Sequence, residues 1–293
     1  MSAIVDQATE AAAPQPAGSP RRRARRSVTL GVGLTLVGIV VIVAVVSFFW
    51  LPYPQADTSG SRLEHPDGTH WLGTDRFGRD LLTQLMIGAR IALAVGLGSV
   101  AIGAVLGITL GLLAAFATRW VDDTLSAVLD ILIAFPTLLL AMLIVAAQGA
   151  SLGTAIVAIG LAMSAVVARL TRVLAKRVLA QQYVTAARTS GTSWVGIVAR
   201  HILPNIWPTL SVNLALQFGV AVLAEASLSY LGLGAPPPNA SWGRMLQEAQ
   251  GTVSTAPVGA IAPGVALVVL VIGVNLVADG LRDVADPTRR RSR

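Results

Sequence analysis

Apolar residues in this chain gather in runs about twenty positions long instead of recurring as stripes every three or four residues. Such runs lie near 28 to 50, 88 to 117, 123 to 148, 152 to 175, 203 to 228 and 256 to 279. Crossing a bilayer core takes roughly 20 residues of helix, because lipid offers backbone N–H and C=O groups no partners and the helix must satisfy them itself. The pattern therefore predicts an all-α, polytopic membrane protein with six transmembrane helices. Around the runs it predicts a disordered basic tail over 1–27, a first transmembrane helix at 28–50 and an extracytoplasmic segment at 51–87. A five-helix core follows over 88–281, interrupted by a patterned polar segment at 181–204, and a second tail covers 282–293.

Two of the runs carry local signals. The second has Ser99, Gly103, Gly107, Gly111 and Ala115 at four-residue intervals, which puts small side chains on one helix face and lets another backbone approach closely. Packing within the chain is the default reading, a seam with another subunit the alternative. In the third run Pro136 removes one intrahelical hydrogen bond, so a kink or a short unwound turn is expected there. The first run resembles a signal peptide only superficially: it is too long, lacks a small-residue cleavage site before Trp50-Leu51-Pro52-Tyr53, and reads as a retained helix.

Composition narrows the class. With 54% hydrophobic and 13% charged residues, the 293-residue chain is not an ordinary soluble domain. It has no cysteine and only three histidines, His65, His70 and His201, which excludes disulfides, thiolate catalysis and Cys-ligated metal and leaves no convincing metal cluster. The net charge of +7 reads as membrane topology and not as nucleic-acid binding, because the basic residues flank apolar runs. With six crossings, every Lys and Arg except Arg62, Arg76, Arg79, Arg90 and Arg244 falls on one side, so both termini are expected in the cytoplasm.

The most informative segment runs from Tyr183 to Asn205, between the fourth and fifth runs. It is too polar to cross. Val184, Ala187, Gly191, Trp194, Val195 and Val198 recur at helical spacing beside Arg188 and Arg200, and Gly191 permits a sharp bend between two short helices. An element of this kind suits a partner's groove, or, alternatively, a bed of lipid headgroups. The residues Thr185-Ala186-Ala187, followed after three positions by Gly191 and closed by His201-Ile202-Leu203-Pro204-Asn205, resemble the loop shared by permease subunits of binding-protein-dependent ABC importers. That resemblance implies a coupling helix that docks on an ATPase subunit, with Thr185, Ala186, Ala187, Arg188, Gly191, Trp194, Arg200, His201 and Pro204 as its contact residues. Thr185 departs from the acidic residue usual at the first position.

Three further segments are similar to the C-type subunit of dipeptide, oligopeptide and nickel permeases. One is His70-Trp71-Leu72-Gly73-Thr74-Asp75-Arg76-Phe77-Gly78-Arg79-Asp80; on physics alone Gly73 and Gly78 make a turn, and Arg79 and Asp80 form local hydrogen bonds at a helix start. The others are Glu225 to Gly234 with Pro236-Pro237-Pro238 and Ser241 to Leu246, and Asn275 to Pro287. The resemblance covers nearly everything after residue 28. It implies the type I ABC importer permease fold in a bacterial inner membrane, a homologous second permease, two ATPase subunits that bind ATP and Mg, and an extracytoplasmic substrate-binding protein. It implies import of dipeptides or oligopeptides, with nickel chelates or glutathione as alternative cargo.

Polar side chains inside the runs are costly unless paired or facing water, which makes Asn213, Gln217 and Glu225 candidates for a translocation path. Asp130 and Asn275 read more simply as interhelical hydrogen-bonding residues. No catalytic motif stands out. A phosphate-binding loop ends in Gly-Lys-Ser/Thr, and the single lysine, Lys176, lies between Ala175 and Arg177, so the chain is expected not to be an enzyme and to hold no cofactor. Rival classes are an ion-driven secondary transporter, for which Asp130 and Glu225 are the only weak carboxylate candidates, and a membrane scaffold, which has no use for a docking segment.

Overall fold

The structure, a computed structural model, describes residues 20–236 and 239–285, with side chains over 28–236 and 239–283. The expected tail as far as residue 19, Pro237 and Pro238, and the C-terminal residues from Asp286 through the terminal arginines lie outside the described residues. Among the described residues the regular structure is helical, apart from an isolated bridge between Thr74 and Asp80. The helices are α1 (Pro20–Phe49), α2 (Leu81–Phe116), α3 (Arg119–Ala134), α4 (Thr137–Gln148) and α5 (Leu152–Leu179). Then come α6 (Gln182–Thr189), α7 (Trp194–Ile197), a π-helical turn (Val198–Ile202), α8 (Leu203–Tyr230), α9 (Trp242–Ala249) and α10 (Val258–Ala285). Five stretches are long and apolar enough to cross a membrane, and six if α3 and α4 count as one broken span.

That break is sharper than a kink. Pro136 cannot donate to the helix and disfavours helical backbone at Phe135, whose ψ of 133° is extended. The chain turns by 89° between α3 and α4. One helix start differs from expectation: α1 begins at Pro20 and so takes in the basic run, whereas α2 begins at Leu81, directly after the Arg79–Asp80 helix start read from the sequence and ahead of the apolar run at 88. Asp80 caps α2, its Oδ2 accepting the N–H of Thr83 at 2.7 Å. The polar residues Thr83 and Gln84 of α2 are buried with partners: Thr83 Oγ1 accepts the N–H of Tyr53 (3.2 Å) and Gln84 Nε2 donates to the carbonyl of Gln55 (3.2 Å).

The small-residue face of α2 packs on α5 within the chain. Ser99 Oγ donates to the carbonyl of Ile156 at 3.1 Å, and a Cβ added at Gly107 would lie 2.6 Å from Val167 Cβ, so the two backbones touch where only glycine fits. α1 lies against α10, and α8 is flanked by α2, α5 and α10. Ile91, Val95, Val145, Ile159, Met163 and Leu228 join α2, α4, α5 and α8 in one buried cluster. The eight-residue α9, unforeseen as a helix, is clamped at the opposite side of α8: Trp242 is 2% exposed and its Nε1 donates to the carbonyl of Leu85 at 3.0 Å. Large apolar side chains such as Ile39, Ile42, Leu97, Val105, Leu143 and Val268 stay exposed on the helix faces, as expected where the solvent is lipid or another subunit.

Candidate functional site: a hinged helix pair at one end of the bundle

At the end where α2 finishes and α5 hands over to α8, the chain folds back as α6, a turn, α7 and the π-helical turn that runs into α8. Gly191 makes the turn with φ +83°, a left-handed conformation that costs other residues about 1–2 kcal/mol. Ser193 caps α7, its Oγ accepting the N–H of Gly196 at 3.2 Å. Val184, Ile197 and Ile202 are fully or almost fully buried with Ala175, Ile206 and Leu210, and partly buried Ile108, Leu112, Phe116 and Leu174 of α2 and α5 close around them. This bolts the pair to the ends of two long helices. Phe116 meets Trp194 edge-on at 5.7 Å.

The apolar face expected as one surface is divided. Val184 turns inward with Ile197 and Ile202, whereas Trp194 and Val195 are each 58% exposed. Thr185, Ala186, Arg188, Gly191, Arg200 and Pro204 are also exposed, and Ala187 and His201 half-buried. Nothing lies within 4 Å of a Cβ added at Gly191, so this glycine is required by its backbone conformation and the space beside it is open. Tyr183 and Asn205 close the pair: Asn205 Nδ2 lies 3.3 Å from Tyr183 Oη and donates to the carbonyl of His201 at 2.6 Å. The π-helical turn gave no sequence signal; such turns loosen an otherwise continuous helix and recur at functional positions.

Beside the pair sits an ion cluster that pattern reading missed. Asp122 in the first turn of α3, 7% exposed, receives Arg172 through Nε (2.5 Å) and Nη2 (2.9 Å) and is also paired with Lys176, both on α5. A second α3–α5 pair joins Asp130 to Arg169 at 3.1 Å, with both side chains more than half exposed. Asp130 is thus bound to a cation across helices. The available signal was spacing: Asp122 and Asp130 recur after about two turns of α3, and Arg169, Arg172 and Lys176 share a face of α5. Basic residues tallied only as topology markers therefore also tie α3 to the helix that carries the hinged pair.

At the other end the segment around residues 51–80 is a loop closed by its own hydrogen bonds and tied to α2 and α9. Gly73 and Gly78 both have φ +80°, and a Cβ at either would collide with a backbone carbonyl, of Glu64 and Gly60 respectively. Thr74, 1% exposed, donates through Oγ1 to the carbonyl of Ser61 (2.5 Å) and accepts the N–H of Glu64 (2.9 Å). Asp75 Oδ1 accepts the N–H groups of Phe77 (2.7 Å) and Arg79 (2.9 Å), and its Oδ2 pairs with Arg79 Nε (2.6 Å). Arg79 also reaches Glu248 of α9, which is shared with Arg244 (2.9 Å). Asp80 holds His70 Nδ1 at 3.1 Å besides capping α2. Asp67 caps its own turn: the N–H of His70 and the hydroxyl and N–H of Thr69 hold its carboxyl below the usual carboxylate range.

Of the candidate path residues, Asn213 and Gln217 are half-buried on α8, and Asn213 Oδ1 is buried with no hydrogen-bond partner among the described residues. Glu225 lies three turns further along, 3% exposed, accepting the Ser229 hydroxyl at 2.6 Å. Asn275 is exposed on α10. Glu225 is therefore not brought together with the Asn213–Gln217 pair. The described residues hold no group of three or more carboxylate or histidine side chains placed to bind a metal.

A bundle of long apolar helices with a small helix pair bolted to one end and a rigid loop at the other defines an integral membrane protein of the transporter-component type. Residues 107–291 match the family described as the inner membrane component of binding-protein-dependent transport systems, and the chain belongs to that family. It is 38% identical over 257 residues to the dipeptide transport system permease protein DppC of Alkalihalophilus pseudofirmus, covering 87% of this chain and 84% of that one. It is 41% identical over 268 residues to a putative peptide transport system permease protein of Brucella suis, covering 91% and 90%. It is 38% identical over 269 residues to the glutathione transport system permease protein GsiD of Pectobacterium atrosepticum, covering 91% and 89%. The fold is also that of a chain from the inward-facing MetNI methionine ABC transporter: TM-score 0.59 at 22% identity, covering 69% of this chain and 96% of that one.

Proposed function

We propose that the chain is one of two permease subunits of an ATP-driven peptide importer and that its α6–α7 pair is the lever. The observation that carries this reading is the division of the pair into an inward face that grips α2 and α5 and an outward face, Thr185, Ala186, Arg188, Trp194 and Val195, that is left open. Exposed Trp and Val beside Arg are poor neighbours for water and good ones for a groove in another protein. The outward face has no acidic residue between Gln182 and Asn205, so the groove that receives it is neutral or acidic where Arg188 and Arg200 land.

In this account both termini and the helix pair lie in the cytoplasm of a bacterial cell, and a binding protein delivers cargo to the opposite end. ATP and Mg are bound by two partner ATPases, and this chain catalyses nothing. Closure of the ATPases moves the pair as a unit because Val184, Ile197 and Ile202 are buried in the helix ends. The Asp122 cluster passes the motion from α5 to α3 and so to the bend at Pro136, shifting the bundle between inward-open and outward-open states. Half-buried Asn213 and Gln217, four residues apart on one face of α8, are the candidates for the path, because polar side chains inside a span are costly unless they serve one. The relatives support short peptides as cargo.

Uptake of labelled dialanine into proteoliposomes holding the complete complex tests the reading. ATP-dependent accumulation that needs the binding protein is the expected result. Accumulation of a nickel chelate or glutathione but no dipeptide would reassign the cargo, and uptake driven by an ion gradient without ATP would overturn the class.

A further inference from the structure

At the end opposite the helix pair, a cavity of about 330 Å³ opens between four parts of the chain: Arg76 of the rigid loop, Ala150 of the α4–α5 turn, the Ser229–Pro236 stretch after α8, and Arg244 and Gln247 of α9. Its size is at the small end of the range for small-molecule sites. Two arginines line it and no carboxylate does.

The arginines around it are not all paired. Asp75 is taken by Arg79, and Glu248 is shared by Arg79 and Arg244. Arg76 has no ion pair among the described residues; its guanidinium lies over the Phe77 ring at 4.7 Å, a contact that orients the group and leaves its N–H donors open. Arg244 spends Nε on Glu248 and keeps its remaining donors. Ser229 stands between the cavity and Glu225, its hydroxyl proton committed to that carboxyl and its oxygen left as wall. Gly232, Gly234, Ala235 and Pro236 make up the far wall, small or apolar and without charge.

We propose that this cavity is a subsite for the terminal carboxylate of a short peptide, held between Arg76 and Arg244 as the cargo enters from the outer side. The proposal rests on the import reading above and adds to it a ligand chemistry and a place. A guanidinium fork matches a carboxylate in two parallel hydrogen bonds, which a terminal amide does not reproduce. The recess takes the end of a peptide and not the whole of a long one, so recognition there is of the terminus and tolerates varied side chains.

The chain has no cysteine, so Gln247→Cys, at an uncharged and exposed lining position, gives this subunit one thiol in the assembled complex. Its alkylation by a maleimide is followed in nanodiscs without binding protein. With dialanine at about four times its Kd, occupancy alone slows labelling about fivefold. Dialanine amide at the same concentration leaves the rate unchanged, Arg76→Gln abolishes the protection by dialanine, and Arg76→Lys retains part of it. Equal protection by the amide overturns carboxylate recognition. Protection by added peptide-free binding protein and none by dialanine overturns the subsite in favour of a docking surface. Dialanine uptake by the wild-type complex is measured alongside: uptake with an unprotected thiol overturns this site alone, and absence of uptake overturns the import reading with it.

Discussion

Gly78 and Gly191 adopt nearly the same backbone conformation, φ +80° and +83°, in opposite surroundings. Around Gly78 the loop is closed on itself, with Gly60 carbonyl where a side chain would go. At Gly191 nothing lies within 4 Å of the place a Cβ would take. The same contrast holds for polar groups: Thr74, Asp75, Arg79 and Asp80 are each committed to partners in the chain, whereas Arg188, Arg200 and Thr185 face outward. The loop around Gly78 is finished on itself. The helix pair around Gly191 is half of an interface, and what it lacks is what a partner supplies.

The contrast breaks most visibly at the glycines. Gly78→Ala adds left-handed backbone strain to a backbone collision and is expected to cost about 3 kcal/mol or more, against about 1 kcal/mol for Gly191→Ala. Thermal unfolding of the purified complex ranks the two, and equal losses would dissolve the distinction between closed and open surroundings. Next is the α3–α5 cluster. Asp122→Ala leaves Arg172 and Lys176 facing each other and is expected to cost about 2 kcal/mol, less than a fully buried pair because Lys176 reaches solvent. Stimulated ATP hydrolysis is expected to fall further than stability does, and parallel losses would make the cluster merely structural.

Smaller effects sharpen the picture. Trp194→Ala is expected to weaken ATPase co-purification by about 1–2 kcal/mol and to lower stability by less, about 1 kcal/mol at most, the share of its edge contact with Phe116. Asp130→Ala, which breaks a pair more than half exposed, is expected to change stability by about 0.5 kcal/mol or less. Thr185→Ala is expected within about 0.5 kcal/mol on unfolding, since the hydroxyl is exposed.

The long apolar runs made the helical class legible, because lipid imposes a length that composition reveals directly. The small-residue ladder of α2 likewise announced a close helix contact, and the structure shows its partner to be α5. Pro136 announced a break but not its angle, which depends on what α4 packs against. The two faces of the helix pair were not separable, since Val184 and Val195 look alike in sequence and only the ends of α2 and α5 decide which is buried. Asp122 was passed over for a related reason: its cations lie about fifty residues away on α5, a pairing that no local window contains. α9 escaped because its turn of Gly, Arg, Met and Gln carries no run of apolar residues, and its burial rests on Trp242 meeting α2.

The most direct test of the lever is peptide-stimulated ATP hydrolysis by the reconstituted complex, with the wild-type chain and with Gly191→Trp, co-purification of the ATPase subunits being measured on the same samples. A complex that still assembles and keeps its basal hydrolysis but loses stimulation by peptide-loaded binding protein is the predicted result. Undiminished stimulation in an assembled mutant complex would contradict it, and would mean that residues 182–205 do not transmit the motion.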